Sequence, residues 1–582
     1  METMKKVLRV LKNEGINGIV KRVNSHFNNA ESKEYYAWIK ANTPTKQELE
    51  EQRKFEFKNT PKISIVIPLY NTPKKFLLQL IDSVQKQTYA NWELCLADGS
   101  TEPLIYLNKI VEKDGRIKYS ILEENKGISG NTNEALKLAT GDYIALLDHD
   151  DLIPVNSLFE IVKAINENEG VDYLYTDEDK FTDIKKKTRY EPNFKPDYSF
   201  DTFTSYNYIC HFSIFKKELM DKLVGFNNEF DGSQDYDLIL RAVENANKVV
   251  HIPKILYHWR VHPNSTAGNA ESKPYCYDAG KRAVQAHLDR KNIKNVHMEY
   301  GVAIVRNRAV YEVNEKEKVA ILLYLEDNRL DLKKLNEDIN KITYDNCDIF
   351  LLNTTKISKL DGYKELTKNS KIITAKEIKN DELVKEINGQ VKNLTADKIM
   401  LVKDIQDIKT PDFVEQLLGF VQRKDVGVVS PRIIYKYISS QYNGTVYGID
   451  KDNIGYLDYI DVAGCFGYIT RGAVVENYSI IKSECIMVSK ENLEKINYLD
   501  ETMDYEDALA DISFELYKNY NKLNVINPHI ELETLEITKK SEKNKFYTKW
   551  KNELKNPDPN YNVNLRFEKD NLFKIRQEKV GK

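Results

Sequence analysis

The chain has 582 residues, which is too long for a single ordinary core and predicts two domains with an extension. Hydrophobic residues make up 41% and charged residues 30%, the balance of a soluble globular protein. The formal net charge of -3 gives the chain no overall positive field, so nucleic acid is excluded as a partner.

Cysteine usage and hydropathy indicate the cellular compartment that the sequence favours. The cysteines occur without a Cys-Xaa-Xaa-Cys pair, which argues against a disulfide framework or zinc site and favours a reducing, cytoplasmic compartment. No apolar run approaches the roughly 18 to 20 residues that span a bilayer. Residues 1–60 are predicted to form a helical extension. Residues 1–23 are basic and mildly amphipathic, so two readings stay open: a helix packed on the protein, or a peripheral contact at the inner face of the membrane.

Beyond Pro61 the pattern changes to short apolar runs that alternate with amphipathic stretches. Strands are predicted at residues 63–67, 92–97, 117–122 and 143–147, and helices at residues 76–84 and 130–139. This order predicts an α/β fold, a Rossmann-like and mainly parallel sheet with helical crossovers. Ligands bind at the carboxyl ends of such strands, which is where the polar clusters of the sequence fall.

The second half of the chain repeats the first. The segment from Lys318 has the same order of strand, helix, Thr-Tyr and strand as the segment from Lys62. A later segment from Leu394 matches the one from Ala139, which contains the fourth strand. We therefore predict a helical extension at 1–60, a first α/β domain at 61–312 and a second, degenerate α/β domain at 313–582.

Acidic residues follow the fourth strand. Asp148, Asp150 and Asp151 lie within four consecutive residues. Carboxylates this close repel one another unless they share a cation, and a hard divalent ion prefers oxygen ligands from protein, phosphate and water. Such an ion would bridge the diphosphate of a nucleotide. The alternative is an acidic turn that begins a helix at Pro154.

Weaker signals occur at other strand ends and at one helix start. Asp98 closes the second strand and suits a ribose or base contact, or simply a turn. Asp235 opens a helix and suits a general base that deprotonates an acceptor hydroxyl, or an N-cap. His258 follows a strand-like run and suits a metal or a diphosphate, or plain packing. Asp177, with neighbouring acids, follows another such run and suits the acceptor side or solvent.

The order of these clusters is more specific than any one of them. Between residues 35 and 267 the sequence carries, in order, ISIVIPLYN, NWELCLADGS, NKGISGNTNEAL, GDYIALLDHDD, YTDEDK, FKPDYS and LYHWRVHPNSTA. In these motifs the chain strongly resembles glycosyltransferase family two, whose members have the GT-A fold. The resemblance implies Mn²⁺ or Mg²⁺ bound by Asp148, Asp150 and His258, and Asp235 as the catalytic base.

The resemblance also implies the residues that bind the nucleotide sugar. They are Pro68, Tyr70, Asn71, Asp98, Gly130, Asn131, Asp148 and Asp177. One departure is Ala97, which stands where many members carry a further acid, so Asp98 serves alone near the nucleobase.

The activity that the resemblance implies is inverting transfer of a sugar from a nucleoside diphosphate to an acceptor hydroxyl. The acceptor would be a glycan, glycolipid or glycoprotein in a surface polysaccharide, cell-wall polymer or flagellar glycan. Similar members are rhamnosyltransferases, so dTDP-rhamnose is the first donor expected and a UDP-hexose the second. A homo-oligomer stays open.

The second domain lacks part of this machinery. Lys403 stands at the first acid of the metal motif, which removes a ligand and adds a repelling charge, while Asp511 is expected at the base position. We therefore expect a non-catalytic domain that binds acceptor, supports the first domain or makes an oligomer contact. Three alternatives remain: a bifunctional transferase, a sugar-nucleotide nucleotidyltransferase and a non-enzymatic scaffold. Nucleotidyltransferases usually carry a glycine-rich N-terminal loop, which the segment ISIVIPLYNTPKK does not have.

Overall fold

A computed structural model of the chain describes residues 33–182, 188–262, 274–302, 306–314, 316–436, 440–448, 454–460, 468–535, 545–568 and 571–579. The basic stretch 1–23, predicted to pack on the protein or to touch a membrane, lies outside the described residues. Residues 33–42 are helical, as the sequence predicts for the end of the extension. None of the helices in the described ranges combines the length and hydropathy that a bilayer span requires.

The first half contains β1 to β8 and most of the helices around them. The strands are β1 Ile63–Leu69, β2 Trp92–Asp98, β3 Ile117–Ile121, β4 Tyr143–Leu146, β5 Tyr173–Phe181, β6 Arg189–Asn193, β7 Ser213–Lys216 and β8 Val249–Arg260. The helices are α1 Lys46–Lys54, α2 Lys74–Gln85, α3 Asn108–Val111, α4 Gly127–Leu136, α5 Ser157–Glu167, α6 Phe200–Ser205, α7 Lys217–Leu223, α8 Gln234–Asn245 and α9 Pro274–Arg290.

The second half begins with the paired strands β9 Val296–Tyr300 and β10 Asn307–Tyr311. Its further strands are β11 Val319–Leu325, β12 Cys347–Asn353, β13 Ile372–Glu377, β14 Lys398–Lys403, β15 Ile405–Ile408, β16 Val426–Tyr435, β17 Ser440–Val446, β18 Gly455–Ile460, β19 Glu476–Tyr478, β20 Cys485–Ser489, β21 Leu523–Thr534, β22 Leu565–Glu568 and β23 Asn571–Ile575. Its helices are α10 Leu332–Lys341, α11 Tyr363–Leu366, α12 Leu383–Asn393, α13 Phe413–Val421, α14 Lys490–Lys495, α15 Tyr505–Tyr520 and α16 Lys545–Trp550.

The first sheet has the order β3-β2-β1-β4-β7-β5-β6, with β8 paired to β5. Strands β1 to β4 are parallel, and β7 is inserted antiparallel between β4 and β5. The predicted strands all form, each within a few residues of the predicted bounds. Helix α4 begins at Gly127 rather than residue 130, because the side chains of Asn125 and Asn131 bind the backbone N–H groups of Gly127 and Lys126.

The core of this sheet follows from its sequence pattern. Strands β1 and β2 are apolar along most of their length and are buried on both faces, as parallel strands covered by helices are. Helix α2 turns Leu77, Leu80, Ile81 and Val84 towards the sheet, whereas Phe76, predicted on the same face, is only partly buried. Each fully buried aliphatic side chain contributes about 1.5–3 kcal/mol relative to exposure.

The second sheet repeats the order of the first. Its strands run β13-β12-β11-β14-β20-β16-β17-β18, and β21 pairs in parallel with β16 as β8 pairs with β5. The pairing register also matches, since β1 pairs Ile63 with Tyr143 and β11 pairs Val319 with Lys398. The predicted duplication is therefore present in three dimensions.

Residue contacts divide the chain into two compact units. We call the first unit the described residues up to 198 together with 206–294 and 575–579; the second unit is 199–205 and 295–574. Helix α6 thus belongs to the second unit, where Asp201 pairs with the buried Arg423 and accepts a hydrogen bond from Asn477 Nδ2 at 2.9 Å. The sequence places its domain boundary at 312/313, whereas the contacts divide at 294/295.

Candidate active site

The turn after β2 is organised by Asp98, which is 1% exposed. Its Oδ1 accepts the N–H of Ser100 at 2.9 Å, and its Oδ2 accepts the N–H of Leu104 at 2.8 Å and the hydroxyl of Tyr119 at 2.6 Å. Both oxygens of Asp98 therefore shape the edge of the sheet where a nucleobase is expected.

The turn after β1 adjoins this edge. Asn71 has a left-handed backbone (φ 48°), donates its N–H to Ser100 Oγ at 2.8 Å, and accepts the N–H of Thr101 at 3.1 Å. Tyr70 beside it is 48% exposed, and Pro68 pairs with Ala97 in the parallel ladder of β1 and β2. Tyr70 and Asn71 therefore lie next to the turn that Asp98 holds.

Helix α4 packs against the same edge. Asn131 is buried, and its Nδ2 donates to Asn125 Oδ1 at 2.9 Å. A Cβ at Gly99 would lie 2.7 Å from that Nδ2, and a Cβ at Gly130 would lie 2.5 Å from Lys126 Cβ. Gly99 is thus required because α4 packs closely against the turn after β2. Gly130 is required because the first turn of α4 is itself closely packed.

The acids after β4 differ in their surroundings. Asp148 Oδ2 lies 3.8 Å from His211 Nε2, and Asp150 Oδ2 lies 2.8 Å from His262 Nε2. Asp151 is fully buried, accepts the backbone N–H of Arg260 at 2.6 Å and is bound by the hydroxyl of Tyr257. Asp148 and Asp150 face other titratable groups, whereas Asp151 holds the strand beside it.

Electrostatics at this strand end are unfavourable without a cation. Burial raises the pKa of Asp151 well above its usual range, and the negative charges of Asp150 and Asp148 raise it further. Ligand atoms of Asp148, Asp151 and His211 lie within 4.8 Å of one another. A divalent cation would relieve this repulsion.

The donor set fits such an ion. Carboxylate oxygens suit Mg²⁺ and Mn²⁺, and the imidazoles of His211 and His262 favour Mn²⁺ over Mg²⁺. The sequence did not single out either histidine, because each meets its carboxylate across more than sixty residues of chain. The one local signal for His262 is its position just beyond β8, at the edge where ligands are expected.

His258 lies elsewhere. Its Nδ1 contacts Asp179, which also binds Arg189 and the hydroxyl of Tyr35 from the helical stretch 33–42. Burial alone would raise the pKa of Asp179, but His258 and Arg189 outweigh it and hold that pKa low.

The neighbours of His258 on β8 point to the opposite face, as alternate strand residues do. The ring of Tyr257 stacks on His211 at 4.6 Å, and the ring of Trp259 lies edge-on to His211 at 5.5 Å.

Asp235 is the second residue of α8 and is partly buried. It does not cap the helix, because the N-cap residue is Ser233. Its Oδ2 accepts Asn207 Nδ2 at 2.8 Å and lies 3.5 Å from Cys210 Sγ. Cys210 is followed in sequence by His211, which lies 3.8 Å from Asp148, so one short loop connects the surroundings of Asp235 and Asp148.

Asp177 is fully buried. Its Oδ1 accepts the N–H of Lys195 at 2.9 Å and contacts His251 Nε2 at 2.9 Å. These two contacts of Asp177 are with β8 and with the segment after β6.

The corresponding positions of the second unit are occupied differently. The ladder of β11 and β14 puts Lys403 at the place of Asp148 and Ile405 at that of Asp150. Glu506 is the second residue of α15, as Asp235 is of α8, so it takes the base position that the sequence gives to Asp511.

Internal cations neutralise the acids at these positions. Lys403 Nζ lies 2.7 Å from Glu326 and 2.5 Å from Glu506. Asp511 is bound by Lys549 at 2.8 Å and by Trp550 Nε1 at 2.7 Å. An internal ammonium group thus stands where the first unit has a carboxylate.

Comparison with known proteins identifies the family of the first domain. The sequence profile of Glycosyl transferase family 2 matches residues 64–224. Residues 64–224 belong to glycosyltransferase family 2. The predicted fold class is thereby confirmed: the family 2 domain has the mainly parallel α/β sheet of the GT-A fold, and the second unit contains a sheet of the same strand order.

Three relatives show how far the similarity extends. An uncharacterized protein of Sinorhizobium fredii is 31% identical over 540 residues, which cover 88% of this chain and 58% of that protein. An O-antigen biosynthesis protein of Myxococcus xanthus is 25% identical over 85% of this chain and 39% of its own length. A UDP-Glc:alpha-D-GlcNAc-diphosphoundecaprenol beta-1,3-glucosyltransferase of Escherichia coli is 37% identical over 19% of this chain and 44% of its own. The chain thus spans less than two thirds of these relatives.

Proposed function

We propose that this chain is an inverting, metal-dependent glycosyltransferase whose single active site is in the first unit. The observation that carries the proposal is the loop of Cys210 and His211, which contacts Asp235 at one residue and Asp148 at the next, at the carboxyl edge of a family 2 domain. Carboxylates on two separate elements, one set at a strand end and one at a helix start, are what donor binding and proton removal need.

Asp148 and Asp150 hold the metal, with His262 as the third protein ligand. His262 is preferred to His258 because its Nε2 already lies 2.8 Å from Asp150, whereas His258 is turned to Asp179. His211 lies next to Asp148, with its Nε2 3.8 Å from Asp148 Oδ2. When bound, the ion neutralises the donor diphosphate and stabilises it as a leaving group.

Asp235 removes the proton from the acceptor hydroxyl. The acceptor oxygen then forms a bond to the anomeric carbon as the bond from that carbon to the diphosphate breaks, and the nucleoside diphosphate leaves with the electron pair. The proton stays on Asp235. One displacement inverts the configuration at the anomeric carbon, as in inverting glycosidases.

The donor edge is built by Tyr70, Asn71 and the turn that Asp98 holds, with Gly130 and Asn131 beneath it. The donor is a nucleoside-diphosphate sugar, with dTDP-rhamnose and a UDP-hexose as candidates. The motif resemblance supports the first, and the UDP-Glc named for the Escherichia coli relative supports the second. The O-antigen role named for the Myxococcus xanthus relative supports a cell-surface glycan as acceptor.

A donor panel tests this function. Binding and nucleoside-diphosphate release are measured for dTDP-rhamnose, UDP-glucose and UDP-N-acetylglucosamine, with Mn²⁺, Mg²⁺ or EDTA. We expect one donor to bind and to be cleaved, with EDTA abolishing cleavage and Mn²⁺ restoring it. Equal cleavage in EDTA would contradict the metal role, and failure of every nucleotide sugar to bind would contradict the transferase.

A further inference from the structure

The carboxylate of Asp235 is held by a loop that precedes β7. Asn207 Nδ2 donates to Asp235 Oδ2 at 2.8 Å, and Cys210 Sγ lies 3.5 Å from the same oxygen. Within the described part of the chain, Oδ1 of Asp235 accepts no hydrogen bond. One oxygen is therefore anchored and the other is left for a substrate.

The orientation of the Asn207 amide is fixed independently. Its Oδ1 accepts the N–H of Cys210 at 3.0 Å, so its NH₂ group is the one that faces Asp235. Cys210 Sγ, 3.5 Å from the same oxygen of Asp235, supplies a second, weaker donor.

The loop has a strained backbone that its surroundings maintain. Cys210 has φ +40°, a left-handed conformation that is uncommon for a residue with a side chain. Ser213 Oγ donates to the carbonyl of Cys210 at 3.0 Å and contacts the hydroxyl of Tyr173 at 2.9 Å. The conformation that presents Asn207 and Cys210 to Asp235 is thus fixed at its end.

A buried lysine holds the middle of the loop. Lys195 is 0% exposed, and its ammonium group donates to the carbonyls of Ile209 and His211, while Glu178 balances its charge at 3.2 Å. A buried ammonium needs such partners, so its place is specified tightly. The lysine links the segment after β6 to the residues that flank Cys210.

We propose that Asn207 is a positioning residue that aims the free oxygen of Asp235 at the acceptor hydroxyl, with Cys210 as second donor and Lys195 as the anchor of the loop. This inference rests on the proposed function. It assigns a role in transfer to residues that act on the base rather than on the donor. Reacting groups must be oriented closely, and misplacement by about 1 Å can lower a rate about 100-fold.

The test uses Asn207→Ala in the full chain. We expect kcat for transfer to fall about 10- to 100-fold, while KM for the donor and the affinity for the nucleoside diphosphate with Mn²⁺ stay within about twofold. Asn247→Ala is the matched control, because Asn247 Nδ2 donates to Asp172 at 2.7 Å at the other end of β5. Asn247→Ala should leave kcat, KM for the donor and the affinity for the nucleoside diphosphate unchanged.

Two further variants separate positioning from folding. Cys210→Ser keeps a donor and should exceed Cys210→Ala in kcat. In an Asp235→Asn background, Asn207→Ala should cost nothing more, because both changes act through one carboxylate. Unchanged kcat in Asn207→Ala, or an equal further loss in that background, would overturn the positioning role. Full activity of Asp235→Asn alone would instead overturn the assignment of the base.

Discussion

Asp148, Asp150 and Asp151 place negative charge on one strand end, and their partners divide the work between them. Asp151 gives both oxygens to β8, so it fixes the turn. Asp148 and Asp150 instead face His211 and His262, whose imidazoles are able to bind a metal and are not permanent counter-ions. A metal bound there would remove the repulsion that raises the pKa of Asp151.

If His262 rather than His258 binds the metal, the two histidines should differ in their effect on Mn²⁺ affinity. Asp150→Ala and His262→Ala should each weaken Mn²⁺ binding, by about tenfold or more, because each removes a ligand. His258→Ala is the matched control and should leave Mn²⁺ affinity within about twofold. Titration of each variant with Mn²⁺ by electron paramagnetic resonance measures this without turnover. Weaker binding in His258→Ala but not in His262→Ala would contradict the ligand set.

The paired strands β5 and β8 bury a charged histidine, His251, inside the first unit. His251 on β8 stacks on Tyr175 at 4.8 Å and lies between Asp177 and Asp197, at 2.9 and 3.1 Å. Burial alone would lower the pKa of His251, but the charges of Asp177 and Asp197 outweigh it and raise that pKa to about 9.

This raised pKa predicts a dependence of stability on pH. The stabilisation by His251 is complete below about pH 6.5, its unfolded pKa, and is lost as the pH rises through about 9. It amounts to about 3 kcal/mol at most. Denaturant unfolding of wild type and His251→Gln at several pH values should show a difference that shrinks above pH 7. A constant difference would contradict a charged His251.

Local pattern predicts elements better than it predicts contacts. The apolar runs of β1 and β2 and the face of α2 are visible in sequence, because each depends on residues a few positions apart. The contact of His262 with Asp150 joins residues 112 positions apart, and that of Asn207 with Asp235 joins residues 28 positions apart. No local spacing in the sequence predicts either contact. The motifs predict where the candidate site lies, whereas the pairing of its acids with His211 and His262 is visible only in the tertiary contacts.

At the scale of the whole molecule, one fold occurs twice with different charges at corresponding places. The second unit keeps the strand order but has Lys403 and Ile405 in place of the two metal-motif acids. Lys403 pairs with Glu506, which stands where the first unit has Asp235. The pair replaces a cation site and a base with one internal salt bridge. We therefore propose that the second unit has a structural rather than a catalytic role.

Breaking that salt bridge should affect stability rather than catalysis. Lys403→Met leaves the largely buried Glu326 and Glu506 without their shared cation, at a cost on the order of 3 kcal/mol. Thermal unfolding of the full chain should shift down, with kcat unchanged below the transition. The double variant Lys403→Met with Glu506→Gln should recover part of the shift. Loss of kcat without loss of stability would argue for a second active site.

In the proposed mechanism the chain has one active site, in the first unit, with Asp235 as its base. The most direct measurement compares kcat for nucleoside-diphosphate release in Asp235→Asn and in Glu506→Gln, with Mn²⁺ and the preferred donor. We expect Asp235→Asn to lose about 100- to 10,000-fold and Glu506→Gln to stay within about threefold of wild type. A large loss in Glu506→Gln, or full activity in Asp235→Asn, would contradict a single active site with Asp235 as its base.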